Sequence, residues 1–170
     1  MGNTGQMLLV LGALLLFSIA LPSLNDTLLH NDLTLFCTNA ELTALSLCQK
    51  FLGEAGTKVF DEVCLTTQPQ LATQLTNVGA LGKDTGESYP NFDDVDDYHN
   101  LAFRDSTTLP SVLFIVSGNV TYIDPGDPAH AVTYRTFVKR LRITVRGPYL
   151  LNLPNDQLVD IVMEQLYTQF

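Results

Sequence analysis

The chain has 170 residues, 46% of them hydrophobic and 16% charged, with 18 acidic against 9 basic side chains and a net charge of -9. That length holds one domain with a sizeable core, and the apolar content excludes a disordered chain. The acidic balance argues against nucleic acid as a partner, because non-specific binding needs a basic surface to displace counterions from phosphates.

No charged residue occurs in the first 25 positions, and Met7 to Leu21 reads MLLVLGALLLFSIAL. A helix from about Gly5 to Leu24 reaches roughly 30 Å, the thickness of a bilayer's hydrocarbon core. Three roles fit it: a cleaved secretory signal, a membrane anchor, or a helix held in the membrane and then buried among copies of itself in a filament. The first two are normally marked by basic residues, yet no Lys or Arg precedes Lys50, and Leu21-Pro22-Ser23 makes a poor cleavage site.

The next thirty residues favour the third role. Leu29, Leu33, Phe36, Ala40, Ala44, Leu47, Phe51 and Ala55 recur at spacings of three and four, the stripe of an amphipathic helix. Pro22 is tolerated as a kink, and Gly53 and Gly56 mark the end. The pattern predicts one helix of about 50 residues, roughly 75 Å long. It is apolar all round over 1–25 and amphipathic over 26–58, and a globular domain occupies 59–170. The apolar half carries Met7, Leu8, Leu9, Leu11, Leu14, Leu15, Leu16, Phe17, Ile19, Leu21 and Pro22. Such a surface is stable only in lipid or against copies of itself.

Three cysteines are too few for a disulfide scaffold. Cys37 and Cys48 lie about 16 Å apart along the predicted helix, too far to join. Cys48 with Cys64 is the feasible pair.

Residues 57–110 read as loops with short elements. Within them Asp84, Glu87, Asp93, Asp94, Asp96 and Asp97 crowd six carboxylates into fourteen positions. Hard cations such as Ca²⁺ take oxygen ligands of this kind, and Asp93, Asp94, Asp96 and Asp97 are the candidate ligands. The spacing is not that of an EF-hand, so a solvated acidic loop and an electrostatic contact stay open beside it. SVLFIVSGNVTYID is β-branched and aromatic and predicts a strand, or a tight hairpin turning at Ser117-Gly118-Asn119. Asp124-Pro125-Gly126-Asp127-Pro128 closes that element as a loop. VTYRTFVKRLRITVRG predicts a long strand, with Phe137, Leu141, Ile143 and Val145 on one face and Arg140, Arg142 and Arg146 on the other. Those arginines, with Arg135 and Lys139, form either a solvated basic face or charge contacts within a subunit or to a neighbouring one. The tail DQLVDIVMEQLYTQF fits a strand or a helix and leans to strand. The fold class is α+β, a long N-terminal helix packed on a C-terminal antiparallel sheet.

No nucleophile elbow, phosphate loop or dinucleotide fingerprint occurs, and His30, His99 and His130 lack paired-ligand spacing. An enzyme is not expected.

An uncharged N-terminal helix with Pro22, its amphipathic continuation and a C-terminal antiparallel sheet resembles the type IV pilins and pseudopilins. The segment Phe92-Asp93-Asp94-Val95-Asp96-Asp97-Tyr98-His99 is similar to a stretch of some minor pilins of the mannose-sensitive haemagglutinin type. Mainstream prepilins carry a basic leader ending in Gly and a Glu at the fifth mature position. Here cleavage after Gly2 would put Met7 fifth and cleavage after Gly5 would put Val10 there, so the chain resembles a divergent member of the family. The resemblance implies a bacterial fimbrial subunit, inserted in the inner membrane and then polymerised with itself into an extracellular helical filament. The alternative is a membrane-anchored cell-surface binding module with a cation-binding acidic loop.

Overall fold

The computed structural model describes residues 3–152 and 157–169; Met1, Gly2, 153–156 and Phe170 lie outside the described residues, and the possible cleavage after Gly2 lies there too. Two compact units divide the chain, Met1–Asn39 and Ala40–Phe170.

Helix α1 spans Asn3–Ala55 with Pro22 inside it, the single helix expected. Proline lacks the N–H that would serve the Ser18 carbonyl, one turn earlier. At its end the Gly56 N–H donates to Leu52 O at 3.0 Å and the Thr57 N–H to Glu54 O at 3.0 Å. These bonds satisfy carbonyls that a helix terminus leaves open.

In the second unit the last turns of α1 form one wall of the core. Ala40, Ala44, Leu47, Phe51 and Ala55 are buried, so this part of the predicted stripe faces inward. Leu29 and Leu33, in the first unit, are exposed, and the stripe does not run that far as a buried face. Small alanines let the helix lie close to the opposing layer. That layer is an antiparallel sheet of β1 (Ala102–Asp105), β2 (Phe114–Asp124), β4 (Val138–Arg146) and β7 (Ile161–Thr168), in the order β1-β2-β4-β7. Strand β3 (Asp127–Ala131) pairs with β2, and β5 (Leu151–Asn152) pairs with β6 (Gln157–Leu158) in a separate two-stranded sheet. Helix and sheet are tied at several points. The Tyr167 hydroxyl donates to Leu52 O at 2.7 Å, the Cys48 thiol faces Ile161 O at 3.9 Å, and the rings of Phe51 and Phe103 lie 5.4 Å apart.

Strand β2 runs unbroken through Ser117-Gly118-Asn119, so the hairpin option at that tripeptide is wrong. Glycine serves another purpose there. A Cβ at Gly118 would fall 2.4 Å from the Tyr98 carbonyl oxygen, and the Gly118 N–H donates to Leu101 O at 3.1 Å. Glycine in a strand often marks such a close backbone approach. The chain reverses instead at Pro125-Gly126, where the Gly126 N–H donates to Asp124 Oδ1 at 2.9 Å. Strand β4 starts at Val138, later than expected, because the Thr136 hydroxyl donates to Ile123 O at 2.7 Å and holds the preceding chain. The tail is a strand, β7.

Between helix and sheet lie α2 (Val63–Thr66) and three single turns of 3₁₀ helix at Ala72–Gln74, Val78–Ala80 and Asp96–Tyr98. This irregular region is held by aromatic contacts. Tyr89 lies 5.3 Å from Phe51, 5.8 Å from Phe92 and 5.1 Å from Phe103, ring centre to ring centre. Its hydroxyl bonds Glu54 Oε2 at 3.1 Å.

Candidate functional site

The first candidate is the apolar half of α1. From Met7 to Leu24 the large apolar side chains are 57 to 76% exposed, so no face of this half is covered by other described residues. Two hydroxyls in and just beyond it are quenched locally. The Ser18 hydroxyl donates to Leu15 O and the Thr27 hydroxyl to Ser23 O, each at 2.8 Å, which returns them to the helix's own backbone and lowers the cost of burying them. By length and composition the helix can cross a membrane, as an anchor or a signal would.

The second candidate is the acidic segment, which is not a solvated loop. Asp94, Asp96 and Asp97 are at most 3% exposed, and Phe92, Val95 and Tyr98 are buried beside them. The segment is laid down by Val59, which donates its N–H to Asp93 O at 3.1 Å and accepts from the Val95 N–H at 2.9 Å. Asp97 Oδ2 accepts the N–H groups of Asp93 at 3.1 Å and Asp94 at 3.3 Å, and Asp94 Oδ1 accepts the Asp97 N–H at 3.1 Å. These carboxyls therefore satisfy the turn's own amides. Burial, reinforced by the charges of Asp96 and Asp97, pushes Asp94 up to about 8, so it holds a proton at neutral pH.

Asp96 is directed to Lys139, a fully buried lysine in the middle of the sheet. Lys139 Nζ donates to Phe60 O at 2.8 Å, to Asp61 Oδ2 at 2.8 Å and, in a short contact, to Asp96 Oδ1. It lies 4.4 Å from the centre of the Phe60 ring and 5.3 Å from that of Tyr122. Asp61 also accepts from the Thr76 N–H at 3.0 Å, the Thr76 hydroxyl at 3.1 Å, the Val63 N–H at 3.2 Å and the Tyr122 hydroxyl at 3.3 Å. Burial alone would raise the Asp61 carboxyl, but the Lys139 charge and these donors outweigh it and hold it below its ordinary value. At Asp96 burial outweighs Lys139, and the carboxyl is pushed up to about 6.

The four aspartates expected to hold Ca²⁺ thus do not converge. Asp94 serves a backbone amide and Asp96 serves Lys139, because alternate side chains of the turn point to different neighbours. Asp93 and Asp97 instead meet Glu87, with one oxygen of each within 4.8 Å of the others. Burial and a hydrogen bond with Asp97 push the Glu87 carboxyl above its ordinary value. Asp97 also lines an open groove of about 620 Å³ with Lys83, Tyr89, Phe92, His99 and Phe103.

Arg140, Arg142 and Arg146 find partners inside the chain rather than standing free for a neighbouring subunit. Arg142 Nε is in short contact with Glu164 Oε1, its opposite residue on β7, and Arg146 Nε bonds Asp160 Oδ2 at 2.8 Å. Arg140 lies 3.6 Å from Glu164. Their carboxylate partners come from β7 and its approach, not from the acidic segment. The expected Cys48–Cys64 disulfide is absent, and both thiols are free. Cys48 faces β7, whereas Cys64 on α2 packs against Phe60, Leu75 and Tyr122, so their Sγ atoms point to different parts of the core. Burial pushes the Cys48 thiol up to about 11, which keeps it protonated and unreactive.

The Asp61–Asp96–Lys139 cluster was missed in the sequence, although its signal is present. Lys139 is in phase with Leu141, Ile143 and Val145, the inward positions of β4, and out of phase with the arginines. No protein-family model, no curated protein and no solved structure matches this chain.

Proposed function

We propose that the chain is a structural subunit of an extracellular, type IV pilus-like filament. The observation that carries this reading is the helix α1 itself: it is apolar on every face over its first turns and becomes the core helix of an α+β domain over its last. In this reading the apolar half holds the subunit in the inner membrane before assembly and then packs against copies of itself. About 1000 Å² of apolar surface per helix, at about 25 cal/mol per Å², supplies roughly 25 kcal/mol before the costs of association. Open head-to-tail contacts turn that drive into a helical polymer. The role is structural rather than catalytic.

Replacing Leu14 or Leu15 with Asp tests this. A charge in the helix bundle is expected to abolish assembly, read by pelleting and negative-stain microscopy, while circular dichroism shows the domain still folded. Normal filaments from Leu14→Asp would contradict the proposal.

The second reading, an anchored binding module, draws on the groove beside Asp97 and His99. A variant lacking residues 1–24 separates the two. Retained ligand binding by that variant, with a full-length chain that never polymerises, favours the module.

A further inference from the structure

We propose that Lys139 and Asp96 condense into an internal isopeptide bond, with Asp61 as a proton carrier. This is independent of whether the chain polymerises.

The geometry is that of a reaction site rather than of an ordinary ion pair. Lys139 Nζ has no access to solvent and faces two carboxyls at once, Asp61 and Asp96. One buried ammonium needs one carboxylate, and a second one costs desolvation that it does not recover. The two carboxyls are not equivalent. Asp61 is surrounded by donors from Thr76, Val63 and Tyr122 and is held as the anion. Asp96 presents Oδ1 to Lys139 Nζ, while its Oδ2 is buried with no hydrogen-bond partner. Buried oxygens are rarely left in that state. Condensation at Asp96 lowers the cost of that state, because Oδ2 then belongs to a neutral amide carbonyl rather than to a carboxylate.

Both reacting groups sit on fixed backbone. Lys139 lies in β4 opposite Tyr122 on β2 and Tyr167 on β7. Asp96 opens a 3₁₀ turn whose His99 N–H donates to Asp96 O at 2.8 Å. Reactants held in contact in this way gain the large rate advantage of an intramolecular reaction. Asp61 is within bonding distance of the amine, as a proton carrier must be.

The atoms balance without an oxidant or cofactor. Lys139 gives up two protons in turn, and both go to Asp96 Oδ1, the oxygen in contact with Nζ. The first passes directly, makes Asp96 the neutral acid and frees the Nζ lone pair to attack Cγ. The second is taken by Asp61 as the C–N bond is completed and returned past Nζ to Oδ1; the Cγ–Oδ1 bond breaks, Oδ1 departs as water, and Oδ2 remains as the amide carbonyl. One ammonium and one carboxylate become one amide and one water, and Asp61 is unchanged. The bond ties β4 to the acidic segment and closes a loop between positions 43 apart.

A tryptic map of the full chain, purified in detergent, decides the matter. The expected product is residues 84–104 joined to residues 136–140, uncleaved at Lys139 and lighter by one water than the two peptides together. Lys139→Met is expected to lack it, and Asp61→Asn to form it much more slowly or not at all. Separate, full-mass peptides with cleavage after Lys139 would overturn the proposal even if the variants fail to fold. A water loss that maps elsewhere or persists in Lys139→Met would overturn it as well, and an undiminished bond in Asp61→Asn would remove Asp61 from the chemistry.

Discussion

Lys139 and Arg142 sit three residues apart on one strand, yet they stabilise the fold on different scales. Arg142 is half exposed and pairs with Glu164 across the β4–β7 ladder, so Arg142→Ala is expected to cost under about 1 kcal/mol. Lys139→Met leaves Asp61 and Asp96 buried without Lys139 and removes the proposed bond between Asp96 and β4, and chemical denaturation is expected to show a loss of at least about 3–5 kcal/mol. Equal losses would mean that the cluster is not the electrostatic centre of the domain. Asp94 gives the pH dependence. Its carboxyl is raised from 3.8 to about 8 in the folded chain, so the folded state binds that proton more tightly than the unfolded state does. Its stabilising contribution is present at low pH and is lost as pH climbs towards about 8. Asp61 works in the opposite sense, and its contribution is lost only as pH falls below its ordinary 3.8. The thermal midpoint is therefore expected to fall between about pH 5 and about pH 8, and Asp94→Asn to flatten that fall. A midpoint that rises over this range would contradict the assignment. The acidic residues were legible as a cluster, but their separate tasks were not. Which carboxyl meets an amide, a lysine or another carboxyl depends on the 3₁₀ turn at Asp96–Tyr98 and on a lysine 43 positions away.

At the scale of elements, periodicity carried most of the information. The buried stripe in the last turns of α1 and the inward alternation of β4 follow from spacing of apolar side chains, because burial of one face dictates that spacing, whereas the tail's spacing suited a helix as well as the strand it forms. Local turn chemistry misled at Ser117-Gly118-Asn119. Glycine suits both a turn and a close backbone approach, and only the position of the Tyr98 carbonyl distinguishes them. Gly118→Ala accordingly tests the packing of the acidic segment on β2. With a Cβ forced 2.4 Å from Tyr98 O, a loss of about 1–3 kcal/mol is expected in urea denaturation, with little change in slope. Gly12→Ala, which places its Cβ in open space, is the matched control and should leave the domain's midpoint unchanged. A neutral Gly118→Ala would mean that the segment does not press on the strand. The disulfide expectation failed for a related reason: spacing along a helix excludes Cys37 with Cys48, but it cannot say that Cys48 turns to β7 while Cys64 turns to Phe60.

For the whole molecule, the central proposal is that the apolar half of α1 is a polymerisation surface. Its character was fully legible, since an uncharged run of apolar residues needs no tertiary context to be recognised. What covers it, lipid or copies of itself, is decided by what surrounds the chain. Cryo-electron microscopy of material sheared from producing cells is the most direct measurement. The expected result is filaments whose central density is built from α1 helices packed on one another, with the sheet domains outside. Sheared material without filaments, and the full-length protein left as monomer in the membrane fraction, would contradict it.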